Sequence, residues 1–333
     1  MTPAAAIPLF LASIAVMLAA AAVFAGRLDH IGLRLGLPEA LLGLLTALAA
    51  DAPEISSAVS ALVQHEHALA VGVVVGSNAF NIAAMLGLSA VVTSRVRAQH
   101  ETLELEAFVG LWFIAVTLAV VAGGLGATAG MVLIAAVAVP YVALLAAGPH
   151  IAHRLRLGAS ESGFVGRSLG EPHIRAQGLD SHREALGLFL VLGGALAVIV
   201  AGSVAAVRAA TDLARTWSVP QALVGVIVLA ILTSLPNAWT GIRFGVQGRG
   251  SALMSETLNS NSINIVAGLA LPAALGTFGA FSHLDVFDLA WLLGMTAAAL
   301  LLVGRRGGAG RSAGVLLIVL YAGFLAVQIA ARI

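Results

Sequence analysis

Apolar residues run along this chain in long blocks, not in alternation and not as narrow helical stripes. Blocks of this kind fit membrane-crossing helices, which need about 20 residues to cross the hydrocarbon layer. Ten windows qualify: 5–26, 37–63, 68–93, 103–122, 126–148, 185–208, 219–246, 251–277, 285–304 and 312–331. Clusters of Arg, Gly, Pro and His separate them. The one long polar segment, 149–184, is rich in Gly, Ser, His and Arg, and reads as a cytoplasmic surface linker. It divides the chain into a first five-helix repeat, 1–148, and a second, 185–333. The predicted fold is an all-α polytopic membrane protein of ten transmembrane helices. No positive segment precedes Ala4–Ala25, so that stretch reads as a retained helix and not a cleaved signal.

Composition agrees. Of 333 residues, 60% are hydrophobic and 10% charged, against about 25% charged in soluble domains. The absence of cysteine excludes disulfides, thiolate metal sites and thiol nucleophiles. A net charge of +1 without a basic run gives no basis for nucleic-acid binding. The expected partners are the lipid bilayer and inorganic cations, with no obligate protein partner evident. All 17 basic residues are arginine. With loops numbered alternately, Arg208, Arg215 and Arg332 fall on one side and the other 14 on the opposite side. The positive-inside rule makes the arginine-rich side cytoplasmic, with both termini extracellular in a plasma-membrane protein.

Some polar residues lie inside apolar windows. Window 37–63 contains Asp51, Pro53 and Glu54. A carboxylate at bilayer depth costs about 2.5–3.5 kcal/mol on insertion scales, and proline frees a backbone carbonyl from its helical bond. The second half repeats the pattern. At an offset of 183 residues, Pro53 falls on Pro236, Ser77 on Ser260, Asn78 on Asn261 and Asn81 on Asn264. Five helices per half is an odd number, so the halves are expected to be inverted. Inverted repeats with broken helices at the midplane are a transporter signature.

Helical spacing groups these residues. Asp51 and Glu54 share a face, as do Ser77 and Asn81, and Glu256, Ser260 and Asn264. Thr233, Ser234 and Asn237 occupy the symmetric break. Carboxylate, amide, hydroxyl and freed carbonyl oxygens suit Na⁺ or Ca²⁺. They do not suit zinc or copper, which favour His and Cys. No cofactor is expected, only transported cations: Na⁺, Ca²⁺ or H⁺.

The segments Gly43–Gly87 and Gly225–Ala270 resemble the two α-repeats of the cation/Ca²⁺ exchanger superfamily, which includes the sodium/calcium exchangers. The pattern there is approximately G-T-S-x-P-E, then G-S-N-x-F-N. Here the first repeat reads Ala49-Ala50-Asp51-Ala52-Pro53-Glu54, then Gly76-Ser77-Asn78-Ala79-Phe80-Asn81. The second reads Leu232-Thr233-Ser234-Leu235-Pro236-Asn237, then Asn259-Ser260-Asn261-Ser262-Ile263-Asn264. The resemblance implies the sodium/calcium exchanger fold, with ions held by the second, third, seventh and eighth helices. It also implies that the first and sixth helices slide over that core. Their counterparts here are rich in small residues over Ala19–Ala25 and Gly193–Ala206, which equally serve static packing.

Departures from the pattern matter. Glu54 keeps one central acid, Asn237 replaces the other, and Asp51 stands where a hydroxyl is usual. The central charge can stay at −2, displaced to one side. Like charges three residues apart repel, so a proton can compete for the site. The resemblance implies secondary-active Na⁺/Ca²⁺ antiport by alternating access. The alternatives are H⁺-coupled cation exchange and a homologue that binds cations without transporting them. An intramembrane enzyme would need a catalytic pair at depth. No His lies mid-span, so the chain is not expected to be an enzyme.

Structural roles compete for each candidate. Glu54 and Asp51 can cap the helix break. Glu256 can sit on the dipole of its helix's first turn. Asn237 and the other Ser, Thr and Asn residues can serve interhelical packing. Gly72-x-x-x-Gly76 reads as a packing face. His65-Glu66-His67 reads as a solvated extracellular turn, and Asp285 and Asp288 as interfacial acids at a helix start.

Overall fold

The computed structural model describes residues 2–35, 39–98, 100–147, 182–305 and 308–333. In the first half, α1 is Pro3–Leu35, α2 Glu39–Ala50 and α3 Ala52–Val63. Helix α4, His67–Asn81, passes through a π-helical stretch, Ile82–Leu88, into α5, Ser89–Thr93. Helices α6, His100–Val121, and α7, Ala127–Ala147, follow. The second half opens with α8, His182–Thr216. Next come α9, Gln221–Leu223, a π-helical stretch at Val224–Leu229, and α10, Ala230–Thr233. Helix α11 is Leu235–Val246. Helix α12, Gly250–Ile265, continues through the π-helical Val266–Ala270 into α13, Leu271–Ala274. Helices α14, His283–Val303, and α15, Arg311–Arg332, complete the chain.

Among the described residues, seven helices are long and apolar enough to cross a membrane, and the pair 221–233 and 235–246, bent by 50°, makes up to eight. Windows 37–63 and 251–277 do not meet that standard. The first is cut at Asp51 into two twelve-residue helices. The second carries Glu256, Asn259, Ser260, Asn261 and Asn264 on one helix. Most of the expected linker, residues 149–181, lies outside the described residues, and α8 begins at His182, within its last three positions.

Helices α1 and α8 outrun their apolar windows. At 33 and 35 residues they are roughly 50 Å long at 1.5 Å per residue. Charged positions such as Arg27 and Asp212 do not end them, because a helix leaving the lipid can continue in water. The two lie against each other: a Cβ on Gly202 would come within 3.1 Å of Met17 Cβ, and the Ser203 hydroxyl donates to Met17 Sδ at 3.1 Å. They are peripheral, since only 17% of the apolar window of α8 is buried, against 94% for the α4–α5 window. Leu186, Phe189 and Leu190 of α8 are exposed, as expected of a lipid-facing surface.

The halves correspond element by element. Helix α3 at 52–63 matches α11 at 235–246, and α4 starting at 67 matches α12 starting at 250, each offset by 183. The breaks coincide too, at Asp51 and Ser234. In each, a proline sits two residues on and cannot donate to the carbonyl four residues back, which is Ala49 in one half and Leu232 in the other. At one end of the bundle, β1 (Arg95–Val96) pairs antiparallel with β2 (Ala309–Gly310), with Arg95 opposite Gly310. Two arginine-bearing loops therefore share one end.

Gly72 and Gly225 mark a close approach of the two halves. A Cβ on Gly72 would lie 2.7 Å from the Ala222 carbonyl oxygen and 3.3 Å from Gly225 Cα. The pair explains the Gly72-x-x-x-Gly76 packing face, since Gly76 similarly abuts the Val226 carbonyl at 2.7 Å. Gly72→Val is expected to destabilise the fold by about 1–3 kcal/mol through overpacking, read as a lowered thermal midpoint in detergent. An unchanged midpoint would show that the helices can separate at no cost.

Candidate cation site

Asp51 sits at the N-terminus of α3 in an αR conformation but makes no side-chain cap bond. Its carboxylate turns across the bundle instead. Oδ1 accepts from the Ser260 hydroxyl at 2.6 Å and from Asn237 Nδ2 at 2.7 Å. The same Asn237 nitrogen lies 3.2 Å from Glu54 Oε1 and 3.2 Å from Ser260 Oγ. An amide carries two N–H groups, so three acceptors compete for two protons. Asn81 Nδ2 reaches Ser260 Oγ at 3.0 Å and Asn261 Oδ1 at 3.3 Å. Five helices thus meet through one knot of side chains: α3, α4, α11 and α12 directly, with α2 ending at the break.

The burial is nearly complete. Asp51 is 0% and Glu54 2% exposed. Among the described residues neither carboxylate is paired with a basic side chain, and each keeps one buried oxygen without a hydrogen-bond partner, Asp51 Oδ2 and Glu54 Oε2. Asn237 Oδ1, Asn81 Oδ1 and Ser234 Oγ are likewise buried and unsatisfied. Ser234 lies beside Glu54 without meeting hydrogen-bond geometry. Natural proteins rarely leave buried polar atoms unmatched, and an uncompensated buried charge is more costly still. Five such oxygens at one place form a donor set that fits a hard cation. No group of three or more Asp, Glu or His could hold a metal among the described residues, so neutral oxygens must make up the set.

The remaining candidates divide. The Ser77 hydroxyl donates to the Val74 carbonyl at 3.1 Å, and Thr233 to that of Leu229 at 2.9 Å. Both back-bond their own helices and stay out of the network. Both side-chain atoms of Asn264 are buried and unpartnered. Glu256 is buried, one turn before Ser260, and hydrogen-bonds to none of the network.

Sequence reasoning missed two contributors. Ser57 follows Glu54 by three residues on α3, is fully buried, and has an unpartnered hydroxyl; its spacing was the available signal. Asn78 and Asn261 were visible as a repeat match but not as a contact. Each donates its Nδ2 to the other's backbone carbonyl, both at 3.1 Å. Residues at an offset of 183 that exchange identical bonds give the two halves a self-complementary contact.

Two expectations outside the site need correction. Glu66 is not solvated: it is 8% exposed and bound by Arg215 of α8 at 2.7 Å. Asp288 is not interfacial: it is fully buried, held by Gln328 and by Arg332 at 2.9 Å. Asp285 does sit at its helix start, in a capping box with Ser282.

An apolar helical bundle with paired broken helices and buried, unsatisfied oxygens at their crossing defines an ion-handling membrane protein. A family model for sodium/calcium exchanger proteins matches residues 5–146 and 187–330, and the chain belongs to that family. Among relatives, Inner membrane protein YrbG of Escherichia coli (strain K12) is 27% identical over 288 residues, 85% of this chain and 84% of that protein. Mouse Sodium/potassium/calcium exchanger 4 is 30% identical over 128 residues, and the match spans 36% of this chain but only 21% of that protein. The solved sodium-calcium exchanger NCX_Mj superposes with a TM-score of 0.61 at 18% identity, covering 98% of this chain and 99% of that one. The H⁺/Ca²⁺ exchanger CAX gives 0.75 at 14% identity, covering 96% and 82%. Both share the fold.

The Asn78–Asn261 contact can be tested alone. Asn78→Ala and Asn261→Ala are each expected to cost about 1–3 kcal/mol by stranding a buried group. The double variant should cost less than their sum, measured by denaturation in detergent. Strict additivity would show that the two bonds are not coupled.

Proposed function

We propose that the chain is a secondary-active cation antiporter that exchanges Na⁺ for Ca²⁺ by alternating access. One observation carries this reading: Asp51 and Glu54 are buried together, with no basic partner among the described residues, each with a free oxygen among unsatisfied amide and hydroxyl oxygens. Two carboxylates present a charge of −2. One Ca²⁺ or two Na⁺ would neutralise it equally, which is the electrostatic basis for exchanging one for the other. Asp51, Glu54, Asn81, Ser234, Asn237 and Ser260 form the central site. Ser77, Thr233 and Asn264 line its ends, each with oxygen available to an ion in transit. Glu256 stands one turn toward the arginine-rich end.

In this reading the chain crosses the plasma membrane ten times as two inverted repeats, with both termini outside. The arginine distribution and the 183-residue correspondence of element boundaries support it. The long peripheral helices α1 and α8 move as a pair across the core. The Arg215–Glu66 ion pair joins α8 to the loop before α4, so it would break or re-form during that movement.

A second reading is H⁺-coupled exchange. It is favoured by the placement of both central acids in the first half, where their proximity makes a shared proton an effective competitor for a cation.

Glu54→Gln is expected to abolish cation flux in reconstituted vesicles while the protein remains folded and monodisperse. Flux that survives would sink the site assignment. Wild-type vesicles challenged with Na⁺, K⁺, Ca²⁺, Mn²⁺ and pH gradients separate the couplings, and ion-dependent thermal stabilisation without counterflow would mark a non-transporting binder. Because the chain lacks cysteine, single cysteines report topology. A membrane-impermeant maleimide should label His65→Cys in intact cells and Arg95→Cys only after permeabilisation, and the reverse pattern would overturn the orientation.

A further inference from the structure

A second unpaired carboxylate lies outside the central site. Glu106 is on α6, six residues from the start of the helix, and is 8% exposed. Its Oε1 accepts a short hydrogen bond from the Ser255 hydroxyl. Ser255 Oγ accepts in turn from Asn259 Nδ2 at 3.4 Å, and Asn259 Oδ1 accepts from the Tyr141 hydroxyl at 2.9 Å. Each donor in this chain, from α7 through α12 to α6, points toward Glu106. Glu106 receives and does not give, which is the arrangement that suits an ionised carboxylate. Yet Oε2 is buried with no partner, and among the described residues no basic side chain is paired with it.

We propose that Glu106 is the anionic centre of a second site, for a single monovalent alkali cation, on a face of α12 neighbouring the one that meets Asp51. The donors fit that charge type. One carboxylate neutralises one positive charge, whereas a divalent ion would leave a buried net charge. The free Oε2 and the remaining lone pairs of Ser255 Oγ and Asn259 Oδ1 are hard oxygens of the kind alkali ions take. Glu106, Ser255 and Tyr141 each lie within about two turns of a helix end at the arginine-rich end of the bundle, roughly 9 Å along the axis, so an ion would enter from that side. The two sites share one element. Ser255 and Asn259 precede Glu256 and Ser260 by one residue each, and Ser260 donates to Asp51. An ion at Glu106 therefore bears on the orientation of α12 at the central site.

The test uses the full chain, purified in detergent, with Asp51→Asn and Glu54→Gln introduced together to remove the central charge. Equilibrium binding of radioactive sodium and rubidium is measured. This background should retain saturable binding approaching one ion per chain, and adding Glu106→Gln should weaken it by about tenfold or more. Ser255→Ala keeps the carboxylate and removes its positioning bond; it should weaken binding roughly tenfold and serves if Glu106→Gln does not fold. The proposal is overturned if the background binds neither ion, or if binding is indifferent to both changes. It is also overturned if infrared difference spectra at neutral pH show a protonated carboxyl band that Glu106→Gln removes, since the site would then hold a proton. Because the central acids are absent from this background, the result stands whether or not Glu54→Gln abolishes flux in the wild-type setting.

Discussion

An ionised carboxylate cannot rest inside an apolar bundle without something to balance it. Asp51 and Glu54 impose that condition twice within one turn of helix. The surrounding structure answers with dipoles in place of a fixed positive charge. Asn237 and Ser260 point their donors at the carboxylates, while a second set of oxygens stays unsatisfied. An arginine there would have made a stable and inert core. Amide and hydroxyl groups stabilise the acids only in part, and one oxygen of each stays without a partner.

The backbone is arranged to the same end. Prolines at 53 and 236 interrupt their helices at equivalent places, so Asp51 and Ser234 sit at breaks where both backbone and side chain can face the crossing. The reciprocal Asn78–Asn261 bonds and the Gly72–Gly225 approach hold the halves together beside that crossing. The Asn78–Asn261 contact is self-complementary, and together the two contacts bring the polar residues of one half within reach of those of the other. Asn237, at the position equivalent to Glu54, shows that the halves are alike in frame and different in charge.

Much of this was legible in the sequence because it rests on local rules. Apolar windows mark helices, prolines mark breaks, and spacings of three and four mark shared faces. The offset of 183 aligned the two prolines, and the helix breaks at Asp51 and Ser234 fall at the same offset. What could not be read depended on partners distant along the chain. Glu66 is buried because Arg215 meets it, and Asp288 because Arg332 and Gln328 do. Nothing near either acid announces that. Asp51 looked as suited to capping as to ligation until its side chain was seen turned toward Asn237 and Ser260. The ends of α1 and α8 were misjudged for a different reason. Hydropathy reports where lipid begins and ends, and a helix is not obliged to stop there.

The length of those two helices ties the protein to the material it sits in. A rod of roughly 50 Å crossing an apolar layer of about 30 Å must lean or protrude, and its lean changes with the thickness of the layer. The core, cross-linked by side chains at its centre, has no such freedom. Bilayer thickness thus bears on the lean of the outer pair more than on the core.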